Sequence, residues 1–271
     1  PELQNQHFSL LLEMSRRPED LRPDQKRIVI WPETAATFFV ETQTQARMEM
    51  AEVLGPDDIL ITGAPRTYPR DTDAYKVWNA IQVIDASGSI VASFDKFHLV
   101  PFGEYVPFRS ILPFPKLTEG RTDFSAGPGP QTLSVSGIPS FSPLICYEVI
   151  FPGAVIDDAK QPDWLLNVTN DGWFGRSAGP YQHMAAARFR TVEEGRPLVR
   201  AAYTGVSVVF DSYGRKVASL SLGERATILH PLLSDKNHTT VYYLWRDFLF
   251  YGIVTFFAVL AMGYKRRLKS L

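Results

Sequence analysis

The segments that most constrain this chain are short, apolar at consecutive positions and closed by turn-forming or polar residues. "KRIVIWPE" ends in Pro32 and Glu33, and "DILITGAP" is closed by Gly63 and Pro65. "PSFSPLICYE" and "DWLLNVTND" are further runs of the same kind. A strand with one wet face alternates apolar and polar residues. A run that is apolar on both faces has to be covered on both, so a sheet packed on each side is predicted. "NAIQVIDASGSIVASFDK" predicts a hairpin turning at Ala86-Ser87-Gly88, and "PLVRAAYTGVSVVFDSYGRKVASL" a second turning at Ser212-Tyr213-Gly214. "PYQHMAAARFRTVEEGR" predicts a helix, with Pro180 at its start, alanines inside and Gly195 past its end. Residues about 5–20 and 35–55 also read as helical, and Ser125–Thr132 reads as a loop. Strands alternating with helices give the α/β class.

Length and charge narrow the function. The 271 residues suit one large domain or two small ones, and 45% hydrophobic residues allow a sizeable core. A formal net charge of -1 argues against a nucleic-acid-binding face, which would be strongly basic. The single cysteine excludes an internal disulfide and a multi-cysteine zinc site. The five histidines, His7, His98, His183, His230 and His238, show no metal-ligand spacing. No G-x-G-x-x-G, P-loop or G-x-S-x-G word occurs, so neither a nucleotide cofactor, a metal nor a serine nucleophile is expected.

Both ends carry information. The chain starts at Pro1 with no signal peptide, as expected of a piece of a longer protein. At the other end, Phe248 to Tyr264 is a charge-free run of 17 residues. A membrane-spanning helix needs roughly 20 mostly apolar residues, in a range of about 17–25. Tyr242, Tyr243, Trp245 and Tyr251 suit an interfacial belt, and Lys265, Arg266, Arg267 and Lys269 follow the run directly. By the positive-inside rule the tail is cytoplasmic and everything before the helix lies outside that membrane. The competing reading is a buried helix closing a soluble domain. The expected division is a catalytic domain over 1–240, a transmembrane helix over 241–264 and a basic tail over 265–271. One insertion, His98 to Leu117, carries three phenylalanines and four prolines. It reads either as a loop packed on its own domain or as a lid or membrane-dipping arm.

Three polar residues close β-like runs: Glu33, Lys96 and Cys146. Strand ends are where α/β sites gather, because the strands are rigid and the loops leave access. A cysteine thiol with an ordinary pKa of about 8.5 is mostly protonated at neutral pH. A carboxylate can take its proton, and a lysine can face the oxyanion of a tetrahedral intermediate. Glu, Lys and Cys therefore suffice for acyl transfer. From spacing alone, a buried structural cysteine is the more common outcome for a lone Cys.

The local words decide between them. "WPETA" around Glu33, "DKFHLVPFGEYVP" around Lys96, "ICYE" around Cys146 and "NVTNDGWFG" from Asn167 to Gly175 occur in that order. Together they resemble the nitrilase, or carbon–nitrogen hydrolase, superfamily. "HLVPFGEYVP", "NDGWFG…GPYQH" and "EEGRPLVRAAYTGVS" are most similar to its membrane-bound branch, the apolipoprotein N-acyltransferases. The resemblance implies a nitrilase-type α-β-β-α sandwich with a C-terminal transmembrane helix, on the periplasmic side of the bacterial inner membrane. It implies Glu33 as general base, Lys96 as oxyanion stabiliser and Cys146 as nucleophile, with the Tyr147 N–H completing the oxyanion hole. Glu104, Tyr147 and Glu148 take supporting roles by the same resemblance. The implied reaction moves an acyl chain from a phospholipid, through a Cys146 thioester, to the α-amine of a diacylglyceryl-cysteine at an apolipoprotein N-terminus. Glu33 would act twice as base. The family's first strand and the membrane helices before it have no match in "PELQNQHFSLLLEM", so that strand is expected to be missing.

Other readings stay open at this point. A hydrolase with the same three residues would use water as acceptor and cleave an amide or nitrile. A catalytically silent lipid- or peptide-binding domain is the third possibility. Asn170, Asp171, Trp173 and Phe174 read either as turn residues or as a wall of the site. Arg188, Arg190 and Arg196 read as structural ion-pair partners, and His98 as a packed histidine near the site.

Overall fold

The computed structural model describes residues 2–19, 21–22, 24–68, 75–107, 123–234 and 239–269. A four-stranded sheet in the order β1-β2-β3-β4 is built from Ile28–Ile30, Ile59–Tyr68, Lys76–Asp85 and Ile90–Asp95. A five-stranded sheet follows in the order β5-β6-β7-β8-β9, from Phe141–Ile145, Trp164–Asn170, Leu198–Tyr203, Ser207–Phe210 and Lys216–Leu220. The helices are α1 (Glu2–Met14), α2 (Thr44–Glu52), α3 (Gly179–Glu194), α4 (Val241–Trp245) and α5 (Phe248–Lys269). β1 pairs parallel with β2, and β5, β6 and β7 pair parallel, while the remaining neighbours are antiparallel.

The doubly apolar strands are explained by three packed layers of side chains. Successive strand residues point to opposite faces. Ile59 and Ile61 of β2 therefore meet Phe141, Ile145, Trp164, Leu166 and Val168 between the two sheets. Leu60, between them in sequence, turns the other way and packs with Trp31, Met50 and Ile84 under α1 and α2. Leu144 and Leu165 point outward from the second sheet, against Ala187 of α3. Each such residue, fully buried, contributes roughly 1.5–3 kcal/mol. The result is the expected α-β-β-α sandwich.

The two hairpins share one local device. In "DASG" and "DSYG" an aspartate is followed three residues later by glycine. The Asp85 carboxylate accepts the N–H groups of Ser87 and Ser89, and Asp211 accepts those of Tyr213 and Arg215. Gly88 (φ +76°) and Gly214 (φ +72°) then turn the chain through the left-handed region, which glycine enters without steric cost. The second turn lies where expected, but residues 198–220 form three strands rather than one hairpin. An extra turn at Thr204 (φ +57°) separates β7 from β8. The helix expected over 35–55 is shorter, a 3₁₀ turn at Val40–Thr42 followed by α2, and the one expected over 5–20 is α1. Of the three arginines read as ion-pair partners, Arg190 pairs with Glu193 at 2.8 Å; Arg188 donates to the carbonyl of Gly214, and Arg196 donates to that of Pro162 among its contacts.

The C-terminal segment is not a core helix. Arg246 (φ +46°) breaks it into α4 and α5, and every described side chain of α5, residues 248–264, is exposed. Among the described residues no helix is long and apolar enough to cross a membrane. The side chains of Lys265, Arg266, Arg267 and Lys269, and the part of the proline-rich arm from 108 to 117, lie outside the described residues, as does His238.

One glycine decides how closely the first sheet approaches the site. A Cβ on Gly63 of β2 would stand 2.6 Å from the Glu33 Cα and 2.7 Å from the Pro32 carbonyl oxygen. Both obstacles are backbone, so neither can swing away. Gly63→Ala is expected to cost about 1–3 kcal/mol by overpacking, read as a lower urea midpoint at unchanged slope.

Candidate active site

Glu33, Lys96 and Cys146 come from the ends of three strands in two sheets, and the fold brings their loops together. Glu33 lies three residues past β1, where Trp31 N–H still bonds the Ile61 carbonyl of β2. Lys96 follows β4 directly, its N–H donating to the Asn79 carbonyl, and Arg66 of β2 grips the adjacent Asp95 through two donors. Cys146 follows β5 and opens a 3₁₀ turn, Cys146–Ile150, with a left-handed backbone at φ +51°.

Lys96 is 1% exposed, and its charge is met on both sides. Its Nζ is 3.0 Å from Glu104 Oε1 and 3.7 Å from Glu33 Oε1. Asn79 of β3 links the two carboxylates, its Nδ2 donating to Glu33 Oε1 at 2.7 Å and to Glu104 Oε1 at 2.9 Å. The second Glu33 oxygen accepts the backbone N–H of Asn170 at 2.7 Å, and the second Glu104 oxygen that of Val100 at 2.9 Å. Burial alone would push the Lys96 ammonium down. The negative charges of Glu33 and Glu104 outweigh it and hold the group above its ordinary value.

The thiol of Cys146 behaves in the opposite sense. Burial pushes it up to about 12, and the nearby Glu33 charge adds to that. Lys96 and a hydrogen bond with the Thr169 side chain pull back only in part. Two carboxylates and one ammonium leave the cluster with a net negative charge, so a standing thiolate is disfavoured. The resting cysteine is therefore a neutral thiol.

Glu148 is fully buried and serves as a tie. Its Oε1 accepts the N–H groups of Phe97 (2.6 Å) and His98 (3.2 Å), and its Oε2 accepts that of Ile145 (2.7 Å). It thus fastens the segment after Lys96 to the segment before Cys146. Burial raises its pKa to about 7 despite these donors. Tyr147 packs edge-on against Phe151, and His98 stacks on the same ring at 4.1 Å, with burial lowering its pKa.

Of the turn residues, Asn170 splits its duties. Its side chain accepts the Gly172 N–H, which is turn chemistry, and its backbone N–H holds Glu33. Trp173 is 70% exposed at the surface and is not drawn into the buried cluster. A second polar network lies behind the cysteine. Arg200 of β7, buried, donates to Asp171 Oδ2 at 2.7 Å and to the Asn167 side-chain oxygen. Asp171 Oδ1 is 2.9 Å from His183 Nδ1 and accepts from the Thr169 hydroxyl at 3.1 Å. Burial would raise Asp171, yet the hydrogen bond with His183 and the Arg200 charge bring it below the usual range. Among the described residues no group of three or more His, Cys, Asp or Glu is placed to hold a metal ion.

Sequence reasoning missed Asn79, Thr169, His183 and Arg200. Asn79 carried a signal, a polar residue inside the apolar run "VWNAIQVI". His183 and Arg200 stood in "GPYQH" and "PLVRAAY", where they read as helix and strand filler.

The family model for carbon–nitrogen hydrolases matches residues 3–235. The chain belongs to the carbon–nitrogen hydrolase family. Among curated relatives, it is 47% identical over 221 residues to an apolipoprotein N-acyltransferase of Bradyrhizobium diazoefficiens, a match covering 80% of this chain and 41% of that protein. It is 41% identical over 258 residues to the one of Rhizobium rhizogenes, covering 91% and 47%. The chain thus spans less than half the length of these relatives. Among solved structures, an amidase from a Nesterenkonia species is similar with a TM-score of 0.54 at 20% identity, covering 81% of each chain. A carbon–nitrogen hydrolase of Helicobacter pylori gives 0.59 at 15% identity, covering 83% of this chain and 82% of that one. These two likenesses concern the fold.

The neutral resting thiol has a kinetic signature. Below its pKa the thiolate fraction rises tenfold per pH unit. Alkylation of Cys146 by iodoacetamide should therefore climb with unit slope from pH 6 to pH 10 without levelling. A plateau near neutral pH would indicate a preformed thiolate instead.

Proposed function

We propose that this chain is the catalytic part of a membrane-anchored N-acyltransferase that works through a thioester on Cys146. The observation that carries the reading is the convergence of Glu33, Lys96 and Cys146 at one cluster, in which Glu33 and Lys96 are buried and hydrogen-bonded. The 41–47% identity to apolipoprotein N-acyltransferases supports the substrates.

In the first half-reaction Glu33 takes the thiol proton as Cys146 Sγ attacks the ester carbonyl of a phospholipid. The oxyanion faces Lys96 Nζ and the Tyr147 N–H. Collapse expels the lysophospholipid alkoxide, which recovers the proton from Glu33 and leaves the acyl group on sulfur. In the second half-reaction the α-amine of a diacylglyceryl-cysteine, at the N-terminus of an apolipoprotein, attacks the thioester. Glu33 takes the amine proton, the Cys146 thiolate leaves, and the proton passes to it. Glu104 and Asn79 keep Lys96 and Glu33 in place through both halves.

The proposed setting is the bacterial inner membrane, with residues 1–240 on the periplasmic side, the part of α5 from 248 to 264 in the bilayer and 265–271 in the cytoplasm. The exposure of every described side chain of α5 supports a lipid environment for it, since seventeen consecutive exposed residues without a charge are poorly suited to water. Arg246 fixes the base of this helix to the domain, donating to Glu194 at 2.6 Å and to Asp158 at 2.8 Å.

Incubation with phospholipid is expected to leave a fatty-acyl adduct on Cys146, seen by mass spectrometry and discharged by a diacylglyceryl lipopeptide. Cys146→Ala abolishes the transfer. Cleavage of short amides with no adduct from phospholipid would favour the hydrolase reading, in which water is the acceptor. Lys96→Ala loses an oxyanion contact worth about 3 kcal/mol, a fall in kcat on the order of 10²-fold.

A further inference from the structure

The polar network behind Cys146 has no part in the proton transfers just described, yet it touches the nucleophile's own backbone. His183 of α3 is 6% exposed, and its Nε2 stands 3.1 Å from the carbonyl oxygen of Cys146. A carbonyl only accepts, so Nε2 carries the hydrogen. The other ring nitrogen, Nδ1, stands 2.9 Å from Asp171 Oδ1 and 3.1 Å from Arg200 Nη2, and its single in-plane site bonds one of them at a time. Phe174 lies edge-on to the imidazole at 5.8 Å. The ring is therefore held in one orientation by an ion pair inside the protein.

The carbonyl it holds belongs to the peptide that joins Cys146 to Tyr147. A trans peptide is planar, and its C=O and N–H point in opposite directions. Fixing the oxygen therefore fixes the direction of the Tyr147 N–H. That N–H is second in the 3₁₀ turn, where the helix supplies no acceptor of its own. The same peptide follows a cysteine at φ +51°, a conformation that costs of order 1 kcal/mol or more and persists only when its surroundings enforce it.

We propose that His183 is the positioning residue of the oxyanion hole: by donating from Nε2 to the Cys146 carbonyl, it aims the Tyr147 N–H at the substrate oxyanion. Asp171 and Arg200 set the ring that does so. The assignment rests on Cys146 being the nucleophile, and holds for either an ester or an amide donor.

The test uses the full-length protein in detergent-solubilised membranes and three variants. A glutamine amide can reach the position of Nε2, whereas an asparagine amide reaches only that of Nδ1. His183→Gln should keep kcat within about threefold of the parent, while His183→Asn and His183→Ala fall roughly 10- to 100-fold with KM for the acyl donor unchanged. Acylation of Cys146 is followed in parallel with p-nitrophenyl butyrate, whose oxyanion needs the same hole. Loss with this ester in the same rank order supports the assignment even if phospholipid proves not to be the donor. Equal rates in all three variants overturn it, and so does equal impairment of Gln and Asn in folded protein. Thermal melts report folding, and should His183→Ala not fold, the Gln and Asn pair decides.

Discussion

A lysine ammonium that is almost wholly out of water organises this molecule. An unpaired charge in a protein interior is too costly to keep, so Lys96 has to be met by carboxylates and those in turn by N–H donors. Glu33 arrives from the end of β1, Glu104 from the turn after Lys96, Asn79 from β3 and the Asn170 N–H from the end of β6. One buried charge thus ties together strands of both sheets. Removing any one partner leaves another group stranded. The close approach at Gly63 belongs to the same constraint, since a side chain there would push the Glu33 backbone out of reach.

Around this centre the protein separates chemistry from geometry. In the proposed reaction Glu33, Lys96 and Cys146 face the reacting atoms. Glu148 joins the two loops that carry the lysine and the cysteine, using three backbone N–H groups and no side-chain partner. The Asp171–His183–Arg200 group does the same for the cysteine carbonyl from the opposite side. Low dielectric strengthens both networks, which is useful only because their members are paired. The resulting site is stiff at the nucleophile, where a shift of an ångström would cost rate.

The layered sandwich was legible in the sequence because period and burial leave the same trace. "ILI" at 59–61 and "PLI" at 143–145 are apolar at every step, and both faces of those strands are in fact covered. The three residues that the fold brings together were singled out by words rather than spacing, since any carboxylate and lysine can accompany a cysteine. Glu104 was found by resemblance, and its position beside Lys96 gives that a physical reason. His183 and Arg200 could not be read because their meaning lies in three-dimensional contact. A histidine four residues into a helix shows nothing of which carbonyl it will face. The Thr204 turn was hidden by the unbroken β-rich run on either side of it, where only "TG" marked the reversal.

The protonated state of the cysteine bears on how long the protein lasts. Oxidation by peroxide begins at the thiolate, as does exchange with disulfides. With the thiol held up to about 12, on the order of one molecule in 10⁵ carries that form at pH 7. An enzyme with a low-pKa cysteine must be defended by reductants between turnovers. Here burial, with the Glu33 charge beside it, keeps the sulfur quiet, and in the proposed reaction that same carboxylate accepts the proton, so durability and reactivity share one site.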